Sequence, residues 1–104
     1  MHYKEAIALW DEKEPVKDRL FLLSEELSEL IGAASHFARG RETSYEELIE
    51  EAADVEVMLD WLKHHFGREF EIEVWKTKHQ KMNRSLKRAG IEGHIEGFGV
   101  YGEE

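Results

Sequence analysis

The sequence predicts an all-α fold, an antiparallel bundle of about four helices followed by a glycine-rich C-terminal tail. Apolar residues recur alternately three and four positions apart through most of the chain, which is the spacing of one helix face. The one proline is Pro15, and five of the eight glycines fall within the last fifteen residues. We therefore expect a helical domain over residues 1–90 and a tail over residues 91–104.

The first two helices have recognisable limits in the sequence. The first covers about residues 3–13. Pro15 suits the first turn of the second helix, where its missing N–H is not needed. That helix continues to about Arg39, and Gly40 supplies the left-handed residue that ends it. Its predicted apolar stripe consists of Leu20, Leu23, Leu27, Leu30, Ala34 and Phe37.

The third and fourth helices have equally clear signals. Ser44 followed by Glu47 has the form of a capping box, so the third helix starts at Ser44. Gly67 ends it, and the fourth helix covers about residues 69–88. The predicted stripe of the third helix consists of Leu48, Ala52, Val55, Leu59, Leu62 and Phe66.

Composition excludes several classes of protein. The chain has 104 residues, which indicates a single domain, and its 23 acidic and 14 basic residues give a formal charge of −9. Such a charge repels nucleic acid. The chain has no cysteine and hence no disulfide or cysteine-ligated metal. It also has neither a membrane-spanning apolar run nor a signal-peptide layout. We therefore expect a cytoplasmic protein that binds neither nucleic acid nor membrane.

Two acidic pairs occupy matched positions in the second and third helices. Glu26 and Glu29 are three residues apart, as are Glu51 and Asp54. Residues at this spacing share a helix face. In heptads drawn through the predicted apolar stripes, Glu26 and Glu51 both take position g, and Glu29 and Asp54 both take position c. Each pair therefore flanks its own stripe on the same side.

The short connector between these helices makes them antiparallel, so their g positions face each other. The pair midpoints lie about 12 and 9 residues from the connector, roughly 17 and 13 Å along the helices. Four carboxylates at one place require a cation or protons, and an all-oxygen ligand set suits Mg²⁺, Mn²⁺ or Ca²⁺. The alternative is that these residues are ordinary solvated flanks of a helix pair.

The acidic motifs resemble those of a known enzyme family. EELSE at 25–29 and EAAD at 51–54, 21 residues later, follow the Glu-Glu-x-x-Glu … Glu-x-x-Asp pattern of the MazG-like all-α nucleoside triphosphate pyrophosphohydrolases. Residues 20–66 are similar to that family in hydrophobic pattern and loop length. The resemblance implies that Mg²⁺, with Mn²⁺ as the alternative, is bound by Glu26, Glu29, Glu51 and Asp54, with Glu25 as an accessory carboxylate.

The activity that the resemblance implies is hydrolysis of a nucleoside triphosphate to the monophosphate and pyrophosphate. A metal-bound water would attack the α-phosphorus. Glu25 or Glu26 would accept its proton, and the sequence does not decide between them.

Substrate contacts are expected from two further places. The family often carries Lys, Asn and Arg on its last helix, and the candidates here are Lys78, Lys81, Asn83 and Arg84. Basic residues also simply favour helix C-termini, which is the plainer interpretation of this run. Trp10 is the candidate for stacking on the base, because related enzymes often close the first helix over the nucleotide.

The apolar residues outside the predicted stripes suggest self-association. Phe21, Ile31, Ile49 and Trp61 are too many for a chain of this length to cover, so we expect a homodimer or homotetramer. The alternative function is a non-catalytic helical protein-interaction module. A di-iron carboxylate bundle is disfavoured, because no Glu is followed by His three residues later.

Overall fold

The computed structural model describes residues 1–95, which form four helices and contain no strand. They are α1 (Tyr3–Lys13), α2 (Val16–Ala38), α3 (Ser44–Phe66) and α4 (Arg68–Arg88). The all-α prediction is confirmed, and every helix boundary agrees with the sequence to within one residue. Of the predicted tail, residues 91–95 have no regular structure, and residues 96–104 lie outside the described part of the chain.

The chain divides into two compact units. The first is Met1–His65, and the second begins at Phe66. The first unit contains α1, α2 and α3, and the second contains α4. Among residues 1–95, no helix combines the length and the hydropathy of a membrane-spanning segment.

A left-handed glycine ends α2 as predicted. Gly40 has φ 71°. Its N–H donates to the carbonyl of Phe37 at 3.0 Å, and the N–H of Arg41 donates to the carbonyl of His36 at 3.1 Å. These two bonds form a Schellman motif, which satisfies carbonyls that the helix end leaves open. The chain can therefore reverse at once and enter α3.

The start of α3 at Ser44 is confirmed, but the predicted capping box is not formed. The carboxylate of Glu47 lies 2.9 Å from the Nδ1 of His36 on α2 instead of reaching back over the first turn. The first turn is closed by the N–H of Glu47, which donates to the carbonyl of Thr43 at 3.2 Å. Glu47 therefore connects the two helices near their shared turn.

The buried faces of α2 and α3 are rotated relative to the predicted stripes. Leu20 and Leu27 were predicted to be buried, yet they are 40% and 42% exposed, and Leu59 of α3 is also exposed. The more buried side chains of α2 are Arg19, Leu22, Leu23, Glu26, Leu30 and Ala33, and those of α3 are Ser44, Leu48, Glu51, Val55, Met58, Trp61 and Leu62.

Packing of α1 explains this rotation. Ile7 of α1 forms the core cluster with Met58 and Trp61 of α3, and Trp10 packs against that cluster. The apolar periodicity of α2 and α3 does not include the contacts of α1, which draws the buried face of both helices toward itself. Trp61, which was predicted to be surplus apolar surface, is fully buried.

A buried guanidinium fixes the end of α1. Arg19 of α2 is 1% exposed. Its Nη1 donates to the carbonyl of Trp10 at 3.1 Å, and its Nη2 donates to the carbonyl of Asp11 at 2.9 Å. Both carbonyls belong to the last turn of α1, where carbonyl groups have no partner inside the helix. The guanidinium also lies over the ring of Trp61, 4.9 Å from its centroid.

The side chain of Asp11 connects all three helices of the first unit. Its Oδ1 accepts hydrogen bonds from Arg19 Nη2 at 3.1 Å and from Trp61 Nε1 at 2.8 Å, and it lies 2.9 Å from His65 Nδ1. Partial burial favours a higher pKa for this carboxyl. The bonds from Trp61 and His65 and the charges of His65 and Arg19 outweigh burial, and the net pKa of Asp11 is lowered.

The second unit contains its own chain reversal. Gly90 has φ 73°, and the N–H of Ile91 donates to the carbonyl of Leu86 at 2.9 Å, which forms a second Schellman motif. The chain then returns along α4. The Asn83 side-chain amide donates to the carbonyl of Ile95 at 3.2 Å and accepts from its N–H at 2.6 Å. Asn83 therefore acts as a clamp for residues 91–95.

We predict that Asp11→Asn destabilises the protein by about 1–3 kcal/mol at pH 7, because Arg19 loses its charged partner inside the unit. A carboxyl with a lowered pKa stabilises the fold above its usual pKa, and this contribution is lost as the pH falls and the group is protonated. Urea unfolding should show a difference from the wild type at pH 7 that narrows in acid. The exposed Asp18→Asn is the control, and equal stability of the two variants at pH 7 would contradict the assignment.

Candidate metal centre

The four carboxylates predicted as metal ligands lie together in the first unit. Glu26 and Glu29 come from α2, and Glu51 and Asp54 come from α3. One carboxylate oxygen of each side chain lies within 4.8 Å of the corresponding oxygen of the others. Residues from two helices thus share a volume that a single cation can occupy.

Helix geometry accounts for this convergence. Each pair is separated by three residues and so projects from one face of its helix. Because the helices are antiparallel and the pairs take matched positions, the two faces meet at the same height. The rotation of the buried faces places Glu26 and Glu51 inward, where they are half-buried, while Glu29 and Asp54 remain exposed. The centre therefore has two inner and two outer carboxylates.

The inner carboxyls resist ionisation in the absence of a cation. Burial raises the pKa of Glu26, and the negative charges of Glu29 and Asp54 raise it further. Burial also raises the pKa of Glu51, to about 7, together with hydrogen bonding to Glu29 and the charges of Glu29 and Asp54. Near neutral pH, Glu51 therefore tends to keep its proton unless a cation neutralises the cluster.

Two buried oxygens in the cluster have no donor. The Oε2 atoms of Glu26 and Glu51 are shielded from solvent and form no hydrogen bond. Within residues 1–95, no lysine, arginine or histidine forms an ion pair with any of the four carboxylates. Leaving a buried carboxylate oxygen without a partner is costly. The arrangement therefore fits a hard divalent cation, because such ions prefer oxygen ligands.

The remaining predicted site residues have different environments. Glu25 is exposed on α2, next to Glu26. Trp10 is half-buried and packs against the core cluster of α1 and α3. Lys78, Lys81 and Arg84 are exposed on α4 in the second unit.

Asn83, also predicted to contact substrate, uses both ends of its amide to hold the backbone of Ile95. The returning segment produces a concave surface beside α4 that is lined by Arg84, Lys87 and His94. The sequence analysis did not select Lys87 or His94, because only the chain reversal after Gly90 brings His94 back beside the helix.

The sequence analysis also missed Asp11 and Arg19, which position α1. The sequence did contain a signal for Arg19. It lies three, four and seven residues before Leu22, Leu23 and Glu26, and so on the same helix face.

Comparison of the chain with protein-family models, with curated proteins and with solved structures finds no match. The functional assignment accordingly depends on the carboxylate centre.

We predict that the metal-free protein loses stability as the pH rises from about 5 to 8. A carboxyl whose pKa is raised in the folded state holds its proton there after the unfolded chain has released it, so its stabilising contribution disappears as the pH passes through its folded pKa of about 7. Thermal unfolding in a chelating buffer should show this decline. Glu51→Gln should flatten it, whereas the exposed neighbour Glu50→Gln should retain the wild-type slope. A wild-type profile that is level over this range would contradict the proposed burial of Glu51.

Proposed function

We propose that this chain is a Mg²⁺-dependent nucleoside triphosphate pyrophosphohydrolase that releases a nucleoside monophosphate and pyrophosphate. The observation that carries the proposal is the convergence of Glu26, Glu29, Glu51 and Asp54, with two buried oxygens that lack donors. The arrangement also agrees with the acidic motifs that resemble the MazG-like family. Mn²⁺ is the alternative metal, because it accepts the same oxygen ligands.

The division into inner and outer carboxylates supports binding of a metal together with a phosphate chain. Mg²⁺ binds few carboxylates and keeps positions for water and substrate phosphate oxygens. Bound there, it would neutralise triphosphate charge and activate a water for attack on the α-phosphorus. Glu26 and Glu51 would hold the cation from the protein side. Glu29 and Asp54 would hold it at the solvent side, where the substrate enters.

The chain offers two proton acceptors for this reaction. Glu26 belongs to the carboxylate cluster, whereas Glu25 is an exposed neighbour outside it. A general base must lie within hydrogen-bonding reach of the proton that it takes. Glu25→Gln distinguishes their roles: if Glu25 is the base, this variant binds Mg²⁺ normally and turns over slowly.

The substrate also requires contacts away from the metal. Lys78, Lys81 and Arg84 remain the candidates for phosphate contact, because they are exposed cations on a chain whose net charge is −9. Asn83 stays a candidate for phosphate contact, and its side chain also holds the backbone of Ile95. Trp10 remains the candidate for base stacking, and its carbonyl bond from Arg19 fixes the backbone that carries it.

A non-catalytic helical interaction module is the alternative, since several large apolar side chains are exposed on α2 and α3. Such a module has no use for a carboxylate centre and should not respond to Mg²⁺. A saturating ligand at 100 times its Kd stabilises a folded protein by about 2.7 kcal/mol. Mg²⁺-dependent stabilisation in thermal unfolding therefore separates the two functions.

We predict that Glu29→Gln and Asp54→Asn each lower kcat/KM at least about 100-fold and remove most of the stabilisation by Mg²⁺, while helix content is retained. Each change deletes a ligand charge and preserves side-chain shape. Glu50→Gln, an exposed acid beside the cluster, is the matched control and should resemble the wild type in both measurements. Near-parental turnover by either ligand variant would show that these carboxylates are not the catalytic centre.

We predict that hydrolysis in ¹⁸O-labelled water places the label in the nucleoside monophosphate. Attack at the α-phosphorus breaks its bond to the bridging oxygen, and pyrophosphate leaves without label. Mass spectrometry of the separated products provides the measurement. Label in orthophosphate, with a nucleoside diphosphate as co-product, would show attack at the γ-phosphorus and would rule out a pyrophosphohydrolase even if the metal centre is correct.

A further inference from the structure

The exposed side of α4 carries a groove of about 570 Å³ that is formed by two rows of side chains. Within each row, the residues follow one another in steps of four along the helix. One row consists of Phe70, Val74, Lys78 and Met82. The other row consists of Glu73, Thr77, Lys81 and Ser85. The buried residues of this helix, Trp75 and His79, belong to neither row.

The shape of this groove is the one that receives a second helix. Rows in steps of four are the ridges of a helix surface, and in the commonest class of helix packing the ridge of one helix enters the groove between two ridges of the other. Phe70 is half-buried, and its ring lies 5.1 Å from that of Phe66. Val74 and Met82 are exposed. Together with the aliphatic stems of the two lysines, these side chains give the groove an apolar lining.

The same helix concentrates positive charge on a strongly acidic chain. The net charge of the chain is −9, yet residues 74–88 contain no acidic residue. Their cations are Lys76, Lys78, Lys81, Arg84, Lys87 and Arg88. Interaction with the helix dipole favours cations only in the last turn, which accounts for Lys87 and Arg88. The cations one or more turns earlier therefore need another explanation.

A smaller hollow continues the groove toward the end of α4. Its volume is about 270 Å³, and it is lined by Lys81, Arg84, Ser85 and Arg88, of which Lys81 and Ser85 also line the groove. Within residues 1–95, none of Lys78, Lys81, Arg84 and Arg88 forms an ion pair. The exposed side of α4 therefore combines an apolar groove with unpaired positive charge at one end.

Both properties together select the kind of ligand. Phosphate groups would pair with the cations but would leave the apolar groove uncovered. An anionic membrane would repel a chain of net charge −9, and an uncharged membrane has no use for the cations. A helix with an apolar stripe and flanking carboxylates covers the groove and neutralises the cations in one contact.

We propose that the exposed side of α4 is a docking surface for an acidic amphipathic helix of a partner protein. The apolar side chains of the partner enter the groove, and its carboxylates pair with Lys81, Arg84 and Arg88. Opposite charges speed the encounter and select an acidic partner over a basic one. Lys81 and Arg84 are also candidates for phosphate contact, so the bound helix would compete with the substrate, a consequence that rests on the proposed function.

Fluorescence anisotropy with a labelled synthetic helix tests this surface. The probe is a peptide about five helical turns long, with leucines spaced alternately by three and four residues and glutamates on both flanks. The control peptide has the same composition in scrambled order. A chelating buffer without nucleotide makes the result independent of the metal centre and of turnover. The protein should bind the probe and not the scrambled peptide, and binding should weaken as ionic strength rises.

Variants locate the binding. Val74→Glu should weaken it at least about 10-fold, because it places a charge of the same sign as the probe in the groove. Leu9→Glu, at an exposed leucine of α1, is the matched control and should bind like the wild type. Lys81→Gln should weaken binding and reduce its salt dependence, whereas Lys13→Gln, an exposed lysine of α1, should change neither.

Far-UV circular dichroism verifies that the variants are folded, and if Val74→Glu fails to fold, the milder Val74→Ser should still weaken binding. Tripolyphosphate should displace the probe by competing for the cations, and failure to displace it would overturn their assigned role. Equal binding of the scrambled peptide, or equal affinity of Val74→Glu and Leu9→Glu, would overturn the proposal. So would self-association, or binding to phosphatidylserine vesicles, that Val74→Glu abolishes, since another occupant would then cover the groove.

Discussion

The packing of the first unit has to accommodate the repulsion among four carboxylates that lie close together. Two of them, Glu26 and Glu51, turn inward and leave one oxygen each without solvent or donor. A domain has only about 5–15 kcal/mol of net stability to set against such a defect. The sequence could have placed apolar residues at both positions and packed the helix pair more tightly. Acids at these positions cost stability unless protons or a cation neutralise them.

The remainder of the unit supplies the rigidity that keeps these groups together. Arg19 lies seven residues, two helical turns, before Glu26, and Trp61 lies seven residues after Asp54. The same helix faces thus carry two contrasting polar clusters. In one of them, the Arg19 guanidinium donates to Asp11 and to two backbone carbonyls. That cluster fixes α1 across the hairpin, which prevents the helices from separating to relieve the repulsion in the other.

Local signals made much of this architecture predictable from the sequence. Pro15, Gly40 and Gly67 determine where helices start and stop through their own backbone restrictions, so the helix limits needed no tertiary information. The carboxylate pairs were also predictable, because i,i+3 spacing and a short connector together fix their meeting point. These features depend on neighbours close in sequence.

Features that depend on contacts between distant residues were not predicted. The rotation of the buried face follows from the packing of α1 near Trp61, about fifty residues away along the chain. Apolar periodicity within one helix carries no information about such a distant contact. Glu47 pairs with His36 across the turn, although its position suits a capping box equally well. Leu20 and Leu27 looked like core residues because an outer apolar seam has the same alternation as an inner one. The spacing of apolar residues identifies an apolar helix face, but it does not show whether that face is buried or exposed.

The burial of Trp61 gives the protein an internal optical reporter. Its indole is fully buried, donates to Asp11 and lies 5.6 Å, centroid to centroid, from the ring of His65. Tryptophan emission shifts to longer wavelength when the indole meets water, and a protonated imidazole nearby quenches it. Detachment of α1 would expose this indole while α2 and α3 are still helical. Fluorescence and helix content would then change at different denaturant concentrations, and the gap between the two transitions would measure how independently the first helix is held.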